Sequence, residues 1–300
     1  MPIRNVLIVG AGFMGSQIGL QCVLHGCRVT MYDVDDKALS QSALSQRQLL
    51  EDMVTAGAVD PGDAQKRLDS INRTSTLAEA TPDSGLVIEA IREQLEIKRE
   101  VFNQLDRHCP PETILATNSS SIRISKIESA TRRPDKVLNT HFVHPVWRHP
   151  FVELMRGSKT SENTLQEVRQ FMESIQILPF LVRREYTGFI FNRIWRAVKR
   201  EALHMVDRGV ASVEDVDRTW MIQMETPIGP FALMDQIGLD VVKDIEMVYY
   251  GESGNEADAP PAILLDKIDK GELGVKTGKG FYEYPNPSWK SADFLKHSSP

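Results

Sequence analysis

The sequence predicts a doubly wound α/β domain, residues 1–186, followed by an all-helical C-terminal domain, residues 187–300. Three observations predict it. From Ile3 to about Val182, short β-branched runs alternate with helical stretches, the pattern of a parallel sheet covered by helices. The first of these runs turns directly into three closely spaced glycines and a helix. From Gly188 onward, Ile190, Ile194, Val198, Ala202 and Met205 recur at helical intervals and strand signals vanish.

The candidate strands, in order, are Val6 to Val9, Val29 to Tyr32, Leu86 to Ile88 and Thr113 to Ala116. Between the second and third lies a long insert, Lys37 to Asp69. Its Leu39, Leu44, Leu49, Leu50 and Met53 approximate helical spacing, and Gly57 and Pro61-Gly62 interrupt it, so it reads as a helical hairpin projecting from the sheet. Gly251 to Pro261 reads as a polar loop, and no internal repeat is present.

Composition narrows the functional classes. A chain of 300 residues, 41% apolar and 25% charged, has the balance of a soluble globular protein, and its net charge of -6 gives no field to gather polyanions, which argues against nucleic acid as a partner. Val6 to Leu24 is apolar enough to suggest a signal segment, but Gln17, Gln21 and four glycines interrupt it, and no membrane segment is expected. Cys22, Cys27 and Cys109 match neither a zinc ribbon nor a redox pair and read as free thiols in a reducing compartment, with the cytoplasm as the default location.

Chemistry enters at the first turn. Val6 to Val9 runs into Gly10-Ala11-Gly12-Phe13-Met14-Gly15, and Ile18, Cys22 and His25 continue as a helix. Gly10 makes the tight turn, Gly12 lets a pyrophosphate approach the backbone, and Gly15 lets helix and strand pack closely. Phe13 and Met14 lie within the same turn and are counted with the cofactor contacts. The helix N-terminus then receives the phosphates. Asp33, eighteen residues beyond Gly15, stands at the end of the second strand, where a carboxylate hydrogen-bonds ribose hydroxyls. With Asp35 and Asp36 beside it and no arginine nearby, it repels a 2′-phosphate, so the Rossmann-type turn is read as an NAD site rather than an NADP site.

The densest polar cluster is His141 to Glu153. A nicotinamide-dependent dehydrogenase needs a base for the hydroxyl proton, and histidine titrates near working pH. A carboxylate that orients the ring is its usual companion, and Glu153, in an apolar run, is the candidate. The same two residues also admit a core histidine with its hydrogen bonds met and a strand glutamate facing solvent. Three histidines and a glutamate within thirteen residues raise zinc as well. Pro145 and Pro150 bar the helix that would bring such ligands onto one face, so no metal is expected.

At this point the chain resembles the 3-hydroxyacyl-CoA dehydrogenase family, from Val6 to about Tyr284. His141 followed by an aromatic and Pro145, with Glu153 twelve residues on, is similar to that family's catalytic motif. Thr117-Asn118-Ser119-Ser120-Ser121 resembles its serine-rich turn, Gly188-Phe189-Ile190-Phe191-Asn192-Arg193 the opening of its helical domain. Ile228-Gly229-Pro230-Phe231 with Asp235, and Lys276 to Tyr282, resemble two later signatures.

The resemblance implies His141 as base and Glu153 as orienting acid, with Ser120 and Asn192 holding the substrate oxygen. Glu93, Lys98, His144 and Lys276 fall on the cofactor side. It further implies NAD, a small-molecule substrate, a cleft between the two domains and a homodimer. The chain departs from the family where His144 replaces the usual asparagine, and where Trp147, Arg148 and His149 replace smaller aliphatic residues. Trp147 and Arg148 are therefore read as substrate-binding. In place of the serine and lysine that bind coenzyme A on the hairpin stand Leu49, Leu50, Glu51 and Asp52.

Three functions follow in order of preference. The first is NAD-dependent oxidation of a 3-hydroxybutyryl-CoA-like thioester. The others are oxidation of a free 3-hydroxy acid, as in the L-gulonate dehydrogenase and lambda-crystallin branch, and an NAD-binding structural role.

Overall fold

The computed structural model describes residues 3–296, which divide into two compact units between Ile190 and Phe191. In the first, eight strands form one sheet in the order β3-β2-β1-β4-β5-β6-β7-β8. β1 (Asn5–Val9), β2 (Arg28–Tyr32), β3 (Asn72–Thr74), β4 (Leu86–Glu89), β5 (Ile114–Thr117) and β6 (Val137–Phe142) run parallel. β7 (Phe151–Arg156) reverses against β6, and β8 (Leu178–Val182) runs parallel to β7.

The central strands are buried on both faces, which explains why they read as continuous apolar runs rather than as alternating ones. Val6 and Ile8 point into a core shared with α1 (Phe13–Leu24), α2 (Asp36–Thr55), α3 (Pro61–Asp69) and α6 (Glu162–Ser174). Leu7 and Val9 point into a second core with Phe102 and Leu105 of α5 (Leu95–His108), beyond the short α4 (Leu77–Ala80). The alternation has period two and puts helices on both sides.

The insert after β2 forms α2 and α3, each started by an aspartate. The Asp35 carboxylate accepts the Lys37 N–H at 2.9 Å, and Asp60 accepts the Gly62 N–H at 2.8 Å with Pro61 at the first helical position. The expectation of a hairpin projecting from the sheet is corrected here. Leu39, Leu50, Met53, Ala64 and Leu68 are buried in the core shared with α1. Apolar residues at helical spacing bury a face wherever a partner exists, and α1 provides one.

β1 is flanked by β2 on one side and β4 on the other, so the chain leaves it in opposite directions. In open α/β sheets ligands bind outside the carboxyl ends of the strands at such a reversal. Gly10 follows β1 there, and Ala90 follows β4.

The second unit holds α7 (Phe191–Asp207), α8 (Val213–Met224), α9 (Pro230–Ile237), α10 (Leu239–Ser253) and α11 (Ala262–Asp269) around Leu203, Phe231, Met234, Val242 and Leu264. The polar segment expected as a loop from Gly251 begins later, because α10 continues to Ser253 and ends on Gly254 in the left-handed conformation. Two buried aspartates organise this unit. Asp217 accepts the Phe231 and Ala232 N–H groups, at 2.7 and 2.9 Å, and so caps α9 from outside, while also accepting the Tyr282 hydroxyl at 2.9 Å. Asp235 accepts the Phe281 and Tyr282 N–H groups, both at 2.9 Å. An added Cβ at Gly280 would lie 2.1 Å from the Asp235 carboxylate. The run Lys276 to Tyr282 is thus wrapped around Asp235.

Candidate active site

The nucleotide turn is built by contact between backbones. Gly10 adopts φ +103° and donates its N–H to the Tyr32 carbonyl at 2.8 Å, and a Cβ there would meet the Ala90 carbonyl oxygen at 2.8 Å. At Gly15 a Cβ would fall 1.9 Å from the Gly10 oxygen, whereas at Gly12 it would meet nothing within 4 Å. The first and third glycines are therefore required by packing, and the second leaves room. That room lies at the start of α1, where no side chain caps the helix and no acidic residue occupies the first turn. A dinucleotide pyrophosphate fits such a cradle, with backbone N–H donors and the positive helix end supplying the attraction. The Asp33 carboxylate accepts the Ala11 N–H at 2.8 Å and the Asp35 N–H at 3.0 Å. It thereby ties the end of β2 to the turn where a ribose would lie. Phe13 is exposed beside it, and Met14 packs inward.

His141 and Glu153 face each other across β6 and β7. They are register partners in the antiparallel pair, and the twelve-residue spacing is the length of the hairpin that joins them. The Glu153 carboxylate accepts from His141 Nδ1 at 2.7 Å and from the Ile190 N–H at 2.9 Å, and both side chains are buried. The Phe189 ring stacks on the imidazole at 4.6 Å. An acceptor-only carboxylate on Nδ1 puts the ring proton there and leaves the Nε2 lone pair as the base. β6 is parallel to β1, so His141, near its carboxyl end, lies on the same edge of the sheet as Gly10.

Glu93 sits at the serine-rich turn. It accepts from the hydroxyls of Ser119 and Ser121, and from the Ser121 N–H at 3.0 Å, with the Lys98 ammonium at 3.3 Å. Burial would raise its carboxyl, but the nearby ammonium and the serine donors outweigh it and hold Glu93 below the ordinary carboxylate range. These bonds pin the residues on either side of Ser120, which stays exposed.

Lys98, expected on the cofactor side, is 1% exposed, with its ammonium 2.7 Å from the buried Glu89. Glu89 also accepts the Thr117 hydroxyl at 2.6 Å and the Ile91 N–H at 2.7 Å. Lys98 thus acts on this edge through Glu89 and Glu93 rather than from an open surface.

Trp147 departs from its expected place too. It packs on the core with Leu20, Leu49 and Met53 of α1 and α2, and Arg148 lies over its ring at 4.6 Å, so an indole of this size serves packing there while the guanidinium stays exposed. His144 is tilted against Phe13 at 4.4 Å, beside the nucleotide turn. Asn192 lies in the first turn of α7, and Lys276 pairs with Asp240 at 2.6 Å, both in the second unit.

Three contributors escaped the sequence reading. Asn118 accepts the Phe142 N–H at 2.9 Å and joins the serine turn to the strand of His141. Glu89 anchors Lys98. Gln17 bonds to the loop that follows β6. The only signal for Gln17 was its interruption of an apolar helix, since a polar residue on a buried face must find partners.

Comparison with known proteins places this geometry. Residues 5–185 match the family described as 3-hydroxyacyl-CoA dehydrogenase, NAD binding domain, and residues 188–284 match the 3-hydroxyacyl-CoA dehydrogenase, C-terminal domain. A probable 3-hydroxybutyryl-CoA dehydrogenase of Bacillus subtilis is 36% identical over 284 residues, covering 95% of this chain and 98% of that protein. The crystal structure of (S)-3-hydroxybutyryl-CoA dehydrogenase PaaH1 from Ralstonia eutropha superposes with a TM-score of 0.88 at 32% identity, covering 95% of this chain and all of that one. A Mesorhizobium japonicum 5-formyl-3-hydroxy-2-methylpyridine 4-carboxylate 5-dehydrogenase is 31% identical, over 94% of this chain and 91% of its own length.

Proposed function

We propose, for a chain that belongs to the 3-hydroxyacyl-CoA dehydrogenase family, that His141 and Glu153 carry out the NAD-dependent oxidation of a 3-hydroxyacyl-CoA of the 3-hydroxybutyryl type. The observation that carries the reading is the buried 2.7 Å bond between His141 Nδ1 and Glu153, set on the same sheet edge as the glycine turn. NAD, when bound, supplies the acceptor for the hydride that leaves C3 of the substrate.

His141 Nε2 takes the proton of the 3-hydroxyl as the C–H bond breaks. Glu153 keeps the ring oriented and balances the imidazolium that forms. The Ser120 hydroxyl donates to the substrate oxygen while negative charge develops on it. Glu93 and Lys98 set the serine turn that presents Ser120. Run in reverse, the charged His141 returns the proton and the 3-keto group is reduced.

Two finer features belong to the same reading. On α10, Val241, Ile245 and Val248 are exposed at helical spacing, which favours a homodimer through the helical unit. The three cysteines are free thiols, as suits a reducing cytoplasm. Among the described residues, no helix is long and apolar enough to cross a membrane.

A free hydroxy acid is the second reading, and Arg148 favours it. The guanidinium is exposed on the loop after His141 and matches a carboxylate. On the hairpin, Arg67 is engaged by the Leu24 carbonyl at 2.8 Å, while the exposed Lys37, Arg47 and Lys66, the last only in a loose surface pair with Asp63 at 3.5 Å, are its cations for coenzyme A phosphates. The test is turnover of 3-hydroxybutyryl-CoA against free 3-hydroxybutyrate and L-gulonate with NAD. Saturable turnover of the thioester, weakened by salt and by Arg47→Ser, is the expected result. Turnover of free acids alone, abolished by Arg148→Met, would overturn the thioester in favour of the acid.

A further inference from the structure

Cys22 and Cys27 stand five residues apart, a spacing outside the usual redox motifs, yet the way α1 ends brings them together. Gly26 takes φ +85° and donates its N–H to the Val23 carbonyl at 3.1 Å, and the Cys27 N–H donates to the Cys22 carbonyl at 3.1 Å. These nested bonds are a Schellman ending, in which the residue after the left-handed glycine lies against a side chain one turn back, commonly in an apolar contact. Here cysteine holds both positions. The 3.1 Å bond between their backbones limits the separation of the two Cα atoms to about 7 Å, and disulfides span about 4.4–6.8 Å. The two thiols also share a hydrogen bond.

Burial divides their roles. Cys22 is 0% exposed in the core around α1, whereas Cys27 is only partly covered and lies between the exposed Gly26 and Arg28. The hydrogen bond from Cys22 draws the Cys27 thiol below its usual range, while the same bond and then burial hold Cys22 well above it. Cys27 therefore meets solvent as the readier thiolate, with Cys22 behind it as a thiol. Cys109 lies in the other core of the sheet, where burial pushes its thiol up to about 12.

We propose that Cys22 and Cys27 form a peroxide-reactive dithiol that closes reversibly to a disulfide at the end of α1. The Cys27 thiolate attacks one oxygen of hydrogen peroxide, the O–O bond breaks, and the second oxygen takes a proton and leaves as water. Cys27 is then a sulfenic acid. The Cys22 sulfur attacks the Cys27 sulfur, and its proton leaves with the hydroxyl as a second water. Two thiols have lost two electrons and two protons, and one peroxide has become two waters. An external dithiol returns both electrons. Closure keeps Cys27 from passing on to the sulfinic acid, so oxidation at this exposed turn stays reversible. None of this rests on the dehydrogenase reading.

The test treats the folded full-length protein with hydrogen peroxide, blocks remaining thiols under denaturing conditions and reads the tryptic peptides by mass. Residues 5–28 leave trypsin as one peptide holding both cysteines, with Cys109 elsewhere. The expected result is the loss of two of the three thiols, with that peptide refractory to alkylation until dithiothreitol is added. Cys22→Ala removes the resolving thiol and keeps a small apolar side chain in the core. Its Cys27 should be trapped by dimedone as the sulfenic acid, and without dimedone at least tenfold more chains should end as sulfinic acid that dithiothreitol does not restore. Cys27→Ser should leave Cys22 alkylatable after the same treatment.

A sulfinic Cys27 beside an alkylatable Cys22 in the unaltered protein would overturn the proposal. So would a disulfide between chains instead of within the peptide, or two intact thiols at a dose that consumes free cysteine in the same solution. Should Cys22→Ala not fold, the peptide of the unaltered protein decides alone. The measurement uses neither NAD nor substrate, so its failure leaves the proposed reaction standing.

Discussion

Glu153→Gln tests the base most directly, and the structure sets the size of the effect. The carboxylate accepts from His141 Nδ1 at 2.7 Å and from the Ile190 N–H at 2.9 Å. A glutamine has one oxygen to offer where the carboxylate offered two. If that oxygen keeps the backbone N–H, the NH2 faces Nδ1 and forces the proton onto Nε2, the atom that must accept the substrate proton. If it keeps His141, a buried N–H opposes the NH2, at about 1–3 kcal/mol.

The first arrangement removes the base without changing its position, and a wrong tautomer of this kind lowers kcat by about 10⁴. Some return through the second arrangement gives an expected loss of roughly 10³-fold, which is about 4 kcal/mol of barrier. The assay is NADH formation from 3-hydroxybutyryl-CoA, with NAD affinity measured separately. Affinity should change by less than about threefold, because neither residue belongs to the turn. A Glu153→Gln enzyme within tenfold of the unaltered rate would refute the assignment of His141 Nε2 as base. Combining it with His141→Ala should add little to the loss from His141→Ala alone, since the two act as one unit.

The glycine turn separates fold from binding. Gly15→Ala drives a methyl into the Gly10 oxygen and should destabilise the chain by about 3 kcal/mol or more in urea melts. Gly12→Ala meets nothing and should melt within about 0.5 kcal/mol of the unaltered protein while losing at least tenfold in NAD affinity. Asp33→Ala should weaken NAD and narrow its preference over NADP by about tenfold, since one acceptor and one repulsion go together; an unchanged NAD-to-NADP ratio by calorimetry counts against the ribose role. In the helical unit, burial raises the Asp217 carboxyl to about 6, against the pull of its backbone and tyrosine donors. The folded state thus binds this proton more tightly than the unfolded chain. The stabilisation is present below the ordinary value of 3.8 and is lost as pH rises through 6, so between pH 7 and pH 5 it should grow by about 1 kcal/mol. Asp217→Asn should remove that increment from urea midpoints compared at the two pH values.

What the sequence made legible follows what each residue was required to do. The nucleotide turn was readable because each of its glycines has a separate steric task, and a strand, a helix and Asp33 frame them. The strands of the proposed base were harder. Val137 to Phe142 carries Asn139, Thr140 and His141 in full burial, and neither an apolar run nor an alternation marks such a strand. The spacing of His141 and Glu153 was visible, but that twelve residues mean a direct cross-strand pair depends on the reversal of β7, a tertiary fact. Lys98 and Trp147 were recognised by type and position. Where their ends point was decided by Glu89 and by the α1–α2 core, which no local pattern encodes.

The reversal between β6 and β7 bears on how this scaffold can change its substrate. Eight residues, 143–150, connect the two strands, and their number sets which Glu153-like position comes opposite His141. Adding or deleting one residue would slip the register and turn the carboxylate to the other face of the sheet. Exchanging side chains along the same connection leaves the register alone. New specificity at Arg148 or His149 is thus open to point substitution and closed to insertion or deletion, so libraries aimed at other hydroxy substrates should vary the composition of this loop and hold its length constant.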